Sequence, residues 1–138
     1  MSEIEEIFEK DDMHFAAQDG DMQKVKELIE AGYPVNQFDE IGKTPLHYAA
    51  ENENMELIRF LLATGADVNA YKESDAGNTP LREVAGSCSF EVAKILIEAG
   101  ADPTIPGWMQ TTALHHAEGR KKPEGKKVYE LLLKTARR

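Results

Sequence analysis

Apolar residues return along this chain in two alternating groups, one narrow and one wide. Between Asp39 and Tyr71, Leu46, Ala49 and Ala50 form a narrow apolar face, and Met55, Leu57, Ile58, Leu61 and Leu62 form a wider one shortly after. Steps of three and four residues bring side chains to one side of an α-helix, so the pattern predicts a short helix and then a longer one. Thr44 offers a hydroxyl to an early helical amide. Pro45 takes the first helical position, where a missing N–H costs nothing. Asn52-Glu53-Asn54 is the expected turn between the helices, and the two alanines let them approach closely. Gly65 predicts a left-handed stop, after which Ala66-Asp67-Val68-Asn69-Ala70 leads outward into a hairpin-like connection.

The same logic recurs. Thr44-Pro45-Leu46-His47-Tyr48-Ala49-Ala50 returns as Thr79-Pro80-Leu81-Arg82-Glu83-Val84-Ala85 and as Thr112-Ala113-Leu114-His115-His116-Ala117, with a blurred copy at Asp11-Asp12-Met13-His14-Phe15-Ala16-Ala17. The step is 33 residues from His14 to His47, 35 from Thr44 to Thr79 and 33 from Thr79 to Thr112. Longer helices follow through Val25, Leu28 and Ile29 to Gly32, through Val92, Ile95, Leu96 and Ile97 to Gly100, and through Val128, Leu131, Leu132 and Leu133. A fixed period of this size means stacked supersecondary units, each too small to bury its apolar face alone.

These residues resemble the ankyrin repeat. Asp39, Gly42, Thr44-Pro45-Leu46-His47, Ala49-Ala50, Leu61-Leu62 and Gly65 to Ala70 all fall where that family expects them. The resemblance implies an all-α solenoid of four stacked helix-turn-helix units with β-hairpin fingers. The repeats run over about 11–38, 39–73, 74–106 and 107–138 in a single domain. Residues 1–10 read as an N-terminal capping helix, because Ser2 and Glu5 have capping-box spacing and Ile4, Ile7 and Phe8 share a helical face. Several positions depart from the motif. Tyr71 to Asn78 carries two extra residues, Arg82 stands in the histidine slot, and the finger Thr104 to Gln110 lacks the usual Asp and Gly. In the last unit Gly119 to Gly125 reads as an extended inter-helix turn.

Charge narrows the class of partner. The chain has 138 residues, 41% hydrophobic and 30% charged, which suits one packed domain. Its net charge of −9 is unevenly spread: residues 1–40 hold twelve acids against three bases, and residues 119–138 hold eight bases against two acids. A mostly acidic surface repels phosphate backbones, so no nucleic-acid partner is expected. A basic protein partner suits the field better. No apolar stretch approaches the roughly 18 residues needed to span a bilayer, so no membrane partner is expected. Met1 to Lys10 carries four glutamates and one lysine, unlike a secretory leader, and the expectation is a cytoplasmic monomer.

Chemistry leaves little trace. There is no glycine-rich phosphate loop and no H-E-x-x-H pair, no acid pair is marked out across a cleft, and lone Cys88 makes neither an internal disulfide nor a metal site. His14, His47 and His115 occupy equivalent repeat positions and read as structural ties, while His116 is off the pattern and reads as a contact residue. No enzyme, cofactor or metal is expected. Arg120-Lys121-Lys122 with Lys126-Lys127 is the one basic run, and no aromatic interleaves it to stack nucleic-acid bases.

The resemblance places partner contacts on the finger tips and the inner ends of the short helices. Carried onto this sequence, these are Glu40, Ile41 and Lys43 in one finger, Tyr71, Asp75 and Asn78 in the next, and Trp108, Met109 and Thr111 in the last. The helix ends add Asp19, Glu51, Asn52 and Arg120. Trp108 is the single tryptophan and, with Tyr71, an expected anchor, since aromatics dominate interface energetics. Asp19, Glu40, Glu51 and Asp75 would present a negative rim to a cationic partner. The expected function is a non-catalytic protein-binding module that inhibits or neutralises a basic partner. An adaptor or assembly factor bridging two proteins is the alternative.

Overall fold

The computed structural model describes residues 11–73 and 77–137; the expected cap over 1–10 and Asp75 lie outside the described residues. The described residues form eight α-helices: α1 (Asp12–Asp19), α2 (Met22–Glu30), α3 (Pro45–Glu51), α4 (Met55–Ala63), α5 (Pro80–Val84), α6 (Phe90–Glu98), α7 (Ala113–Glu118) and α8 (Pro123–Ala136). A short 3₁₀ turn, Trp108–Gln110, precedes α7. The short helices α1, α3, α5 and α7 pack in a row, each against the next, and α6 packs on α8 in the row of longer helices behind them.

The boundaries follow from local chemistry. Thr79 accepts from the Arg82 amide at 3.1 Å and Thr112 from the His115 amide at 3.2 Å. At α3 the histidine closes the cap from the other direction, with the Thr44 N–H donating to His47 Nδ1 at 2.9 Å. The longer helices start at Asp21, Asn54 and Ser89, whose side chains accept from amides three residues on. Gly65, just past α4, has φ 104°, a left-handed angle that costs a residue with a Cβ about 1 kcal/mol or more. The extended turn expected over Gly119 to Gly125 is shorter than that. Pro123 opens α8, and Gly125 lies inside the helix, where a Cβ would come within 2.6 Å of the Arg120 side chain.

Burial explains why the stack holds. Ala16, Ala17, Ala49, Ala50, Ala85 and Ala117 are buried where the short helices meet, and their small size sets the close spacing. Leu28, Leu57, Ile58, Leu61, Val92, Leu96, Val128 and Leu132 fill the layer behind. Truncating one such leucine to alanine costs about 2–5 kcal/mol. An amide ladder adds register between units. Asn36 donates to the Gly65 carbonyl at 3.1 Å and accepts from the Asp67 N–H at 2.8 Å. Asn69 repeats this with Gly100 and Asp102 at 3.0 and 2.8 Å. At the next rung Thr104 stands in the asparagine slot, and its N–H and hydroxyl donate to Asp102 at 2.9 and 2.6 Å.

A backbone bond closes each finger. The Asp39 N–H donates to the Lys43 carbonyl at 2.8 Å, the Gly77 N–H to Lys72 at 3.0 Å and the Gly107 N–H to Thr111 at 2.8 Å. Among the described residues none of these pairings extends into a strand. No helix there is long and apolar enough to cross a membrane.

Candidate functional site

The residue after each repeat histidine, or after Arg82 in the same slot, lies beside a finger. In order these are Phe15, Tyr48, Glu83 and His116, with the fingers projecting beside them. The surface along these residues divides into three parts.

At its first end, finger 1 carries Glu40 and Ile41, both exposed, and Ile41 retains 67% of its surface. The finger is built on Asp39, whose carboxylate accepts from the Ile41 and Lys43 amides at 3.1 and 2.9 Å and from the Tyr48 hydroxyl. Burial works against ionising Asp39, but the Tyr48 hydroxyl and the two amides outweigh it and hold the carboxyl below its ordinary range. Asp19 is exposed at the end of α1, and Asn52 donates to the Gln18 carbonyl beside it at 2.6 Å.

In the middle, charges are paired within the chain. Lys43 Nζ lies 2.5 Å from Glu51 and 3.8 Å from Glu83, and 5.2 Å from the centre of the Tyr48 ring. Partial burial disfavours the ammonium, yet the Glu51 bond and the acids around it raise its pKa overall. Asn78 donates to Glu83 at 2.8 Å, and its own carbonyl receives His47 Nε2 at 2.5 Å. With Nε2 donating there and Nδ1 accepting from Thr44, the His47 imidazole is a neutral tautomer. Burial, the largest influence, lowers its pKa to about 4.

At the far end, Trp108 and Met109 are 58% and 71% exposed. Met109 and Gln110 both sit at left-handed φ, 58° and 62°. Such neighbouring angles persist only where surroundings over-determine them, and Arg82 is that surrounding. Its guanidinium donates to the Trp108 carbonyl at 3.1 Å, to the Thr111 carbonyl at 3.4 Å and to the Thr111 hydroxyl. The Trp108 N–H donates to Asn78 Oδ1 at 3.0 Å. His116 Nε2 lies 3.2 Å from Thr111 Oγ1, and burial, followed by the charges of Arg82 and His115, lowers its pKa. Tyr71, half-buried, lines a cavity of about 190 Å³ with Met109 and Gln110 between the second and third fingers.

The expected contact residues therefore separate into two groups. Glu40, Ile41, Asp19, Trp108 and Met109 stand exposed, whereas Lys43, Glu51, Asn52, Asn78 and Thr111 are tied to neighbours. Arg120 is turned inward, donating to the Cys88 carbonyl at 2.8 Å and to Ala85 at 3.4 Å, which fastens the last unit to the end of α5. Phe15, 60% exposed, was not among the expected contacts. Its spacing from Tyr48 and His116, in the slot after each histidine, is the signal that marks it. Among the described residues no group of three or more His, Cys, Asp or Glu side chains is arranged to hold a metal ion. Cys88 is buried, which pushes its thiol up to about 11, far from a reactive thiolate.

The family model of ankyrin repeats, in three copies, matches residues 13–107. No curated protein matches the chain.

Proposed function

Because the chain belongs to the ankyrin repeat family, a family whose repeats suggest protein binding and are typically non-catalytic, we propose that its concave face grips one folded partner and thereby inhibits or neutralises it. The observation that carries this reading is two groups of apolar side chains left in solvent, Phe15 with Ile41 at one cleft and Trp108 with Met109 on the last finger. Neighbouring exposed apolar groups mark interaction surfaces more often than scattered ones do. Aromatic anchors flanked by tied polar groups supply affinity, and the surrounding acids supply orientation and rapid encounter. The net charge of −9 favours a basic partner.

Affinity capture with the full chain at low and high salt tests this reading, with Trp108→Ala and Glu40→Lys as matched baits. A partner held by the wild type should be lost or weakened about tenfold or more with Trp108→Ala, while helical content and melting stay unchanged. Retention by both variants would remove the groove assignment. The adaptor reading draws on a separate observation: Lys121, Lys122, Lys126 and Lys127 are all exposed around the start of α8. Charge reversal at Lys121 and Lys122 should release one of two captured proteins if the chain bridges them, and neither if it does not.

A further inference from the structure

A cleft of about 190 Å³ lies between α1 and the first finger. Phe15 and Ile41 supply apolar walls, and Asp39 and Glu40 supply carboxylates. His14 and Asp11 also line it, and here the repeat departs from its own rule. In the second unit His47 Nδ1 accepts from the Thr44 N–H. The first unit has Asp11 in the threonine slot, and His14, only 3% exposed, reaches the Gln37 carbonyl at 2.7 Å through Nε2. That bond occupies Nε2 and leaves Nδ1 outside it. Among the described residues Nδ1 has no hydrogen-bond partner, nor does Asp11 Oδ1, 3.9 Å away. A buried carboxylate oxygen without a donor is unfavourable, and a group that brings N–H donors into the cleft would satisfy it. The surrounding carboxylates select a positive one.

We propose that this cleft is a subsite for a basic side chain of the partner, arginine or lysine. Its aliphatic stem lies between Phe15 and Ile41. Its cationic head lies toward Asp11 and His14, in the field of Asp39 and Glu40. Long basic side chains suit such a place because stem and head have opposite preferences, and the Phe15 ring adds a face for the cation. Of the other polar groups there, Gln18 brings a side-chain amide, its backbone carbonyl being held by Asn52, and the Tyr48 hydroxyl is already given to Asp39. The Lys43 ammonium is held at Glu51. The subsite rests on the protein-binding reading and assigns a chemistry to one end of the groove.

The test is an NMR titration of the full chain with three blocked tripeptides, Gly-X-Gly, in which X is arginine, lysine or citrulline, the neutral isostere of arginine. The arginine or the lysine peptide should shift the Phe15, Gln18 and Ile41 amides saturably, and citrulline should bind at least about fivefold more weakly. Asp11→Asn and the exposed Glu40→Gln should each weaken the cationic peptide by about three- to tenfold. Equal binding of citrulline overturns the proposal. So does the absence of a saturable shift at those amides, which is also what a cleft filled by another part of the same chain would give. If the peptides fail while Trp108→Ala still loses the captured partner, the groove reading stands and only the subsite falls.

Discussion

The second and third repeats solve one problem, fastening the next finger, with different side chains in the same slot. His47 is buried and neutral and makes a single bond forward, to the Asn78 carbonyl. Arg82 is half-exposed and charged, and it reaches two carbonyls and a hydroxyl in the finger that follows. The fingers differ to match. The finger that His47 fastens is closed by the Gly77 N–H on the Lys72 carbonyl at 3.0 Å, and finger 1 before it folds around an internal aspartate, Asp39. The finger at Gly107 to Thr111 lacks that internal aspartate and holds two non-glycine residues at left-handed φ. An imidazole offers one donor when neutral, whereas a guanidinium offers five in a fixed fork, enough to organise a loop that cannot organise itself. The departure at position 82 and the departure at 104–110 are thus one feature, and its product is the presentation of Trp108.

The sharpest way to break the contrast is at His47. Replacing it with alanine leaves the Asn78 carbonyl and the Thr44 N–H without their partner in the core, and urea unfolding should show a loss of about 3 kcal/mol. The same residue sets a pH dependence. Its pKa is depressed on folding, so the unfolded chain takes up a proton that the native chain refuses. Its contribution should be intact above about pH 6.5 and decline down to about pH 4, and His47→Ala should flatten that slope. A parallel slope in the variant would assign the acid sensitivity to another group.

Arg82→His restores the repeat motif and should nonetheless destabilise the protein, by about 1–2 kcal/mol, because one imidazole cannot reach both carbonyls. Trp108 fluorescence should show a more mobile indole even where the fold persists. An Arg82→His protein as stable as wild type, with unaltered fluorescence, would separate the two departures. The smallest effect is expected at Gln110. Gln110→Gly relieves a left-handed angle and should raise stability by about 0.5–1 kcal/mol or leave it level after the entropy of glycine is counted. A clear loss there would mean that the Gln110 side chain holds the finger.

Much of the architecture was legible in the residue order because its signals are local. A threonine before a proline starts a helix, a glycine after a leucine pair ends one, and both repeat at nearly constant spacing. The alanines of the short helices announced close packing. Arg82 was visible as a departure, but its use was not, since Trp108 and Thr111 lie 26 and 29 residues away. Arg120 was read as a groove residue because its slot is one, yet Cys88, 32 residues back, draws the guanidinium inward. Gly125 shows the same dependence: it was taken for a turn residue, and it is a helix residue whose missing Cβ makes room for Arg120.

Amino-acid order alone determined that this chain builds paired helices, where each begins and stops, and that the pairs lie side by side, because those choices depend on neighbours within a few residues and on a repeated apolar face. The stack decided which charged and aromatic groups remain available. Lys43 meets Glu83, and Arg82 meets Trp108, only after units tens of residues apart are brought within bonding distance, and that distance is a property of the assembled layers.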